Sequence, residues 1–404
     1  MKILMVNKFL YPRGGAETYF IKIGKYLEEQ GHEIQYFGMY DDKNIMTNTS
    51  RQYTSNLDFH NAGFKKIFYP FKIIYSNEAK KKIRKVIEDF KPDVIHMNNI
   101  NFQLTPSIID VAVLFNIPLI QTVHDYQMIC PNHLLFNPND NQICEKCIHD
   151  SKWNCAKNNC IHNSKLKSVI GSIEGILYTK FKNEYKKINK FICPSYFLEN
   201  KLLEASRIYE DKTITIHNFI ELKDLHKYGK EDYVLFFGRL SEEKGLIMFL
   251  NCCKKLKNIK FKIAGTGPLE YMCKGISNVE FVGFKTGQEL ERLIAKAKFS
   301  VYPSIWYENC PLSILESEAL GTPVITAKNG GMMELVEDNI TGLLVEDINE
   351  KNLLESIQNL YYDSRLLNEM YKNCILKREK MTSLEKYCEK IIEIYKNLIK
   401  SNKE

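Results

Sequence analysis

No stretch of this 404-residue chain is rich enough in proline, glycine or repeated polar residues to read as disordered or low-complexity sequence. Nor is there an internal repeat of solenoid period, which excludes a stacked array. The longest apolar run, Val111 to Val123, is cut by Asn116 and Pro118 and falls short of the roughly 20 residues that a bilayer span requires. It reads instead as a buried helix followed by a strand. The apolar segment at the amino terminus ends at Val6, ahead of Asn7 and Lys8, and is too short for a secretory signal, so a cytoplasmic protein is expected. No Gly-x-Gly-x-x-Gly follows the first strand of either half, which argues against a dinucleotide dehydrogenase. A nucleic-acid motif is missing too, as is any stripe of arginines among aromatics. The formal net charge of +7 is modest for this length, so the expected partners are anionic small molecules or lipid surfaces, with no nucleic acid.

What is present is globular: 44% of the residues are hydrophobic and 26% charged, in a chain longer than a single core usually serves. Strand-like and helical runs alternate from the start, as Lys2–Asn7, a helix near Glu17–Glu29 with Phe20, Ile23 and Leu27 on one face, then Glu33–Met39. Buried strands follow at Val94–Met97, Leu119–Val123, Phe191–Pro194 and Thr213–His217. The pattern restarts at Tyr233–Phe237 and continues through Lys260–Ala264, Val279–Val282, Ser300–Pro303 and Pro323–Thr326. The expected fold class is therefore α/β, with two doubly wound, Rossmann-like domains. Residues 1–219 form the first domain, with a cysteine-rich insertion at about 130–162, and residues 220–382 form the second. A last helix within 383–404 returns to the first domain, and the hinge falls near residues 218–230. Ligands of such sheets bind at the carboxyl ends of the strands, so a cleft between facing domains is the expected site.

The chemistry-bearing residues fall at those ends. Gly14 and Gly15 precede the first helix, where backbone N–H groups and the helix terminus suit a diphosphate; a plain loop is the alternative. After the strand Tyr233–Phe237, Arg239 and Lys244 could neutralise a diphosphate and its developing leaving-group charge, unless they are only solvated loop cations. Gly265 and Gly267, with Pro268 opening a helix, form either a tight turn or a backbone approach to the nucleotide, and Phe284 after Gly283 could border the base. The segment Glu308-Asn309-Cys310-Pro311-Leu312-Ser313-Ile314-Leu315-Glu316 sets one glutamate in a loop and the other about one and a half turns into a helix. Two such carboxylates can accept from different hydroxyl pairs of one ligand. His124-Asp125 stands at the carboxyl end of the strand Leu119–Val123, on the cleft side or as a core histidine with a neighbouring cap.

This ordered set resembles the retaining GT-B glycosyltransferases of glycosyltransferase family 4 over nearly the whole chain. It runs from Gly14-Gly15 and His124-Asp125 through Thr215-Ile216-His217-Asn218, Gly238 to Gly245 and Glu308 to Glu316. Gly321-Thr322-Pro323-Val324, Gly330-Gly331 and Gly342-Leu343-Leu344-Val345 complete it. The resemblance implies a nucleotide-diphosphate sugar as donor substrate. Gly15 would donate to its diphosphate, Arg239 and Lys244 would clamp it, Glu316 would bind the ribose, and Glu308 and His124 would contact the sugar. It further implies attack and departure on one face, no protein nucleophile and no cofactor obligatory for catalysis. The acceptor would be a glycan or lipid-linked saccharide. A nucleotide-sugar-binding sensor, or an epimerase or phosphorylase of the same fold, is the competing reading.

Two features stand outside that pattern. Cys144, Cys147, Cys155 and Cys160 follow Cys130 with intervals of two, seven and four residues, a spacing open to a structural zinc, with His149 and His162 as substitutes, or to free thiols. Residues 61–91 carry nine basic side chains against three acidic, with Phe64, Phe68, Phe71 and Ile74 interleaved. That segment is either a peripheral contact with the inner face of an anionic membrane or a solvated helix face.

Overall fold

Continuous apolar runs mark the strands of this chain, and its structure, a computed structural model describing residues 1–56, 73–221 and 228–402, gives the reason. Ile3, Leu4, Met5 and Val6 in strand β1 (Lys2–Val6) are completely buried, as befits a parallel sheet covered on both faces. The chain divides into two compact units, Met1–His217 with Leu384–Glu404, and Asn218–Ser383. The expected hinge lies partly on residues 222–227, and the basic segment partly on 61–72, outside the described residues.

In the first unit β1 is followed by β2 (Glu33–Phe37), β3 (Val94–Met97), β4 (Leu119–Thr122), a short antiparallel hairpin of β5 (Phe136–Asn137) and β6 (Gln142–Ile143), β7 (Lys190–Cys193) and β8 (Thr213–Thr215). Its parallel sheet runs β2-β1-β3-β4-β7-β8. The second unit adds β9 (Val234–Arg239), β10 (Phe261–Thr266), β11 (Val279–Gly283), β12 (Phe299–Tyr302), β13 (Val324–Ala327) and β14 (Gly342–Val345), in the order β11-β10-β9-β12-β13-β14. The order reverses between β9 and β12, where a doubly wound sheet opens its ligand crevice.

Two local expectations are corrected. Strand β9 runs beyond Phe237 because Gly238 and Arg239 pair with Gly265 and Thr266 of β10. Gly265 permits this with φ +141°: a Cβ there would lie 1.8 Å from the Gly238 carbonyl oxygen. Since Gly265 and Thr266 are strand residues, Pro268 opens no α-helix, and only a 3-10 turn at Glu270–Cys273 follows. The first helix spans Gly15–Glu29, starting ahead of Glu17, with Gly14 as its extended cap and Phe20, Ile23 and Leu27 fully buried.

The helix Leu384–Ser401 buries Tyr387, Cys388, Ile391 and Tyr395 along one stripe. Two of these phenols enter a buried polar chain. Tyr395 OH meets His96 Nδ1 at 2.6 Å, His96 Nε2 meets Thr122 Oγ1 at 2.8 Å, Thr122 Oγ1 meets Tyr19 OH at 3.0 Å, and Tyr19 OH meets Tyr387 OH at 2.8 Å. Burial, and then the neighbouring His124, push the His96 pKa down to about 3. Below the ordinary histidine value of about 6.5 the unfolded chain binds a proton that the folded chain refuses. The stability that His96 contributes is thus fully present above pH ~6.5 and drains as pH falls towards ~3. Urea midpoints should fall between pH 7 and pH 5, and more shallowly in His96→Asn. Parallel pH slopes for the two proteins would remove His96 from this account.

Candidate functional site

The loops after β9 and β12 are stitched together at the switch point. Gly245 caps the helix Leu246–Lys255 with φ +73°, and a Cβ there would fall 2.0 Å from the Pro303 carbonyl oxygen, so only glycine lets the two backbones meet. Ile305 N–H and Ser304 Oγ both donate to Glu243 O, at 3.0 and 3.1 Å. This approach brings Lys244 to Glu308, with Nζ 2.5 Å from Oε1. The same oxygen accepts from Ser304 Oγ at 2.9 Å, from Tyr302 OH at 3.3 Å and from Trp306 Nε1. Lys244 also donates to Tyr302 OH at 2.7 Å and lies over the Tyr302 and Trp306 rings at 5.3 and 5.4 Å. Burial works against its charge, but Glu308 and Tyr302 outweigh it and hold the Lys244 pKa above the usual lysine value. All four donors share Oε1, and among the described residues no donor reaches Oε2.

Gly330 and Gly331 wrap the backbone of Glu308. Gly331 N–H donates to its carbonyl at 2.7 Å, and Gly330, at φ +57°, would set a Cβ 2.6 Å from that oxygen. Glu316 stands half-buried on the helix Leu312–Ala319, which Pro311 caps in an extended conformation. Between the glutamates, Asn218 donates to Cys310 O at 2.9 Å, and Cys310 is buried, its thiol pushed up to about 12 by that burial. Asn309 and Leu312 are half-buried beside it. Arg239, at the end of β9, is exposed and has no side-chain hydrogen bond or ion pair among the described residues. The structure thus brings Lys244 to Glu308 and leaves Arg239 outside that group. Phe284 follows Gly283 and is exposed, while Gly267 packs so closely on Leu240 that a Cβ would meet its carbonyl oxygen at 2.4 Å.

In the first unit His124 follows β4. Its Nε2 meets Asn98 Oδ1 at 2.8 Å, and the Tyr19 ring stands edge-on to it, centroids 4.9 Å apart. Burial pushes its pKa down to about 4, Asp125 opposing, so the imidazole is neutral near pH 7. Asp125 caps the turn through Gln127 N–H at 2.9 Å. Sequence reasoning missed Lys8, a cation set directly after the buried run of β1. Burial lowers its pKa while the charges of Asp125 and Glu17 resist. Trp306, one of two tryptophans in the chain, was missed as well, although its place two residues before Glu308 was a signal.

The family model described as Glycosyltransferase Family 4 matches residues 13–224, more than half of the chain, and Glycosyl transferases group 1 matches residues 219–377. The chain belongs to glycosyltransferase family 4. It is 26% identical over 404 residues to an uncharacterised glycosyltransferase of Methanocaldococcus jannaschii, covering 96% of this chain and 94% of that one. An amylovoran biosynthesis glycosyltransferase of Erwinia amylovora is 28% identical over 186 residues, covering 38% and 46%. Among solved structures, the Anabaena protein HepE in complex with UDP shares the fold with a TM-score of 0.69 at 17% identity, covering 98% of this chain and all of that one. The two parallel sheets are those of the GT-B fold.

This family 4 chain carries its cysteine-rich segment in the first unit, around the β5–β6 hairpin. Cys130, Cys147, Cys155 and Cys160 are buried and Cys144 is half-buried. Lys152 Nζ bridges the carbonyls of Ile129 and Cys147, joining the Cys130 and Cys147 segments. A hydrogen bond from the Cys147 thiol draws Cys130 down to about 7. Cys155 and Cys160 form a second thiol pair, with Cys160 lowered by its partner and their backbones joined at 3.1 Å. Cys130–Cys147 and Cys155–Cys160 are thus two thiol pairs, and among the described residues no three cysteine sulfurs gather within 4.8 Å of one another. The metal-capable trio gathered within 4.8 Å is a different one, Glu145, His149 and Glu204.

The wrap around Glu308 can be tested against a glycine in open space. Gly287→Ala, at φ +55° with nothing near its Cβ, should cost about 1–2 kcal/mol from backbone strain alone. Gly330→Ala adds the collision with Glu308 and should cost about 1–3 kcal/mol more. Equal losses in chemical denaturation would show that the wrap imposes no constraint.

Proposed function

We propose that this protein transfers a hexose or related sugar from a nucleotide-diphosphate sugar to a glycan or lipid-linked acceptor, with retention, in the assembly of a cell-surface polysaccharide. The observation that carries the reading is the Lys244–Glu308 group at the β9/β12 switch point, with Glu316 on the helix that follows. Of the three ammonium protons of Lys244, Tyr302 and Glu308 engage two, leaving one for a phosphate oxygen. Arg239 supplies a fork donor from the end of β9, and together they stabilise the charge that grows on the departing diphosphate. Glu316 takes the ribose hydroxyls, and Glu308 turns Oε2 to the transferred sugar. The family resemblance further assigns Gly14 and Gly15 to the diphosphate and His124 to the sugar. The backbone near Gly265 and Gly267, with Phe284, borders the base, while Asn309, Cys310, Pro311 and Leu312 shape the loop between the glutamates.

In this mechanism the acceptor oxygen bonds to the anomeric carbon on the face from which the diphosphate oxygen departs. The leaving phosphate takes the acceptor's proton, so no protein base is consumed. The UDP bound by HepE makes uridine nucleotides the first donors to test, and the amylovoran relative supports the polysaccharide acceptor. No helix among the described residues is long and apolar enough to cross a membrane. Contact with the inner membrane face would rest on the helix Asn77–Phe90, which buries Ile83, Val86, Ile87 and Phe90 and exposes Lys81, Arg84 and Lys85. Its apolar face is spent on the core, so attraction there is electrostatic.

An α-linked donor should give an α-linked product without added divalent metal, read from the anomeric proton coupling. A β-linked product would overturn the mechanism. Lys244→Ala should lower turnover about 100-fold in protein that still melts cooperatively. Near-normal turnover would remove Lys244 from the leaving-group site.

The cysteine segment supports a structural zinc as a separate proposal, since four buried thiols match the ion in type and number. Cys130, Cys147, Cys155 and Cys160 would hold it. Elemental analysis should find about one zinc per chain, retained in Cys144→Ser and lost in Cys130→Ser. Loss in Cys144→Ser alone would restore Cys144 to the set in place of Cys130.

A further inference from the structure

The fixed ring behind His124 has no role in the reading above. We propose that Tyr19 is a positioning residue for His124, and that the helix Leu384–Ser401 holds Tyr19 in place. The inference rests on His124 as the group that meets the donor sugar. Tyr19 is buried in the helix that begins at the glycine loop, with its ring 76° to the His124 ring. Packing alone would be served by phenylalanine, because a buried hydroxyl costs free energy unless it is bonded. Here the hydroxyl is bonded twice, to Thr122 Oγ1 and to Tyr387 OH. Thr122 ends β4 and stands two residues before His124, so Tyr19 is tied to the strand that carries the imidazole. His96 fixes Thr122 in turn, and Tyr395 fixes His96. Both outer anchors, Tyr387 and Tyr395, come from one helix eight residues apart, on its buried stripe.

The His124 ring is therefore held on two sides, by Asn98 Oδ1 at Nε2 and by the Tyr19 edge. A neutral imidazole that serves as a contact group has direction and no net charge, so its usefulness depends on orientation. Small misplacements of such a group cost large factors in rate. A polar chain drawn from residues 19, 96, 122, 387 and 395 needs each oxygen and nitrogen within hydrogen-bond reach of the next, whereas an apolar core of that size would accept several packings.

The test removes one oxygen. Tyr19→Phe and Tyr387→Phe should each lower kcat about 10-fold, with the donor KM changed less than about 3-fold. In the background of His124→Ala, Tyr19→Phe should cost nothing further, since the residue acts through His124. Losses that multiply in the double variant would overturn the proposal while leaving His124 in the site. Imidazole nitrogen NMR gives a readout independent of turnover: one tautomer of His124 in the native protein, and a mixture in Tyr19→Phe. An unchanged His124 spectrum would equally overturn the proposal. Full activity in His124→Ala would overturn the reading on which it rests, and the inference with it.

Discussion

Burying a carboxylate costs several kcal/mol unless donors surround it, and the Glu308 environment is organised around that constraint. Four side chains, from the end of β12 and the loops after β9 and β12, converge on Oε1, and the only cation among them, Lys244, arrives from the β9 loop. That arrival needs Gly245 to pass within contact of Pro303, and it needs β12 to pair with β9, the point at which strand order reverses. Gly330 and Gly331, after β13, then close over the Glu308 backbone. Three consecutive strands of the sheet thus contribute to holding one side chain. The donors gather on a single oxygen, and this asymmetry gives the carboxylate a structural half and a half available to a ligand.

The first unit meets a similar demand without charge. Burial keeps His96 and His124 neutral near pH 7; the polar chain through Thr122, Tyr19, Tyr387 and Tyr395 satisfies His96 by hydrogen bonds alone, and Asn98 meets His124. A charged pair tolerates small shifts in angle, because Coulomb attraction is not directional. A chain of hydroxyls and imidazoles does not tolerate them, since each bond has a required direction. The returning helix is therefore specified by more than its apolar stripe: Ile391 and Cys388 supply burial, while Tyr387 and Tyr395 supply register.

Much of this was legible in the sequence. Unbroken apolar runs such as Ile3 to Val6 identify parallel strands because both faces are covered, and the paired glutamates identify themselves by flanking a proline-capped helix start. The partner of Glu308 was not legible. Lys244 lies 64 residues away, and only the switch-point adjacency of β9 and β12 unites them. The thiol pairing was not legible in the cysteine spacing either, since the fold of the insertion carries Cys130 to Cys147. Pro268 failed as a helix signal because pairing with β9 kept Gly265 and Thr266 in the strand, a tertiary contact overriding local preference.

The family signature mixes chemistry with closure, and Glu316 shows how the two depend on each other. Its helix has eight residues, too few to be stable on its own, so its position must be imposed from outside. The residues immediately after Glu316 do this. Ser317 bonds Ser300 of β12 at 2.7 Å and Thr322 O at 3.0 Å, and Glu318 is held by Thr341 at 2.6 Å and Lys377 at 2.9 Å. Thr322 itself donates to Ile294 O and accepts from Lys230. Gly342 keeps β14 close enough for this, since a Cβ there would fall 2.1 Å from the Val324 carbonyl oxygen. Ser317 and Glu318 thus anchor the helix that carries Glu316 to β12, to the turn before β13 and to the helix Ser364–Arg378. Of the later signature residues, Thr322 and Gly342 make structural contacts. They fix where a short helix sits, and with it the Glu316 carboxylate.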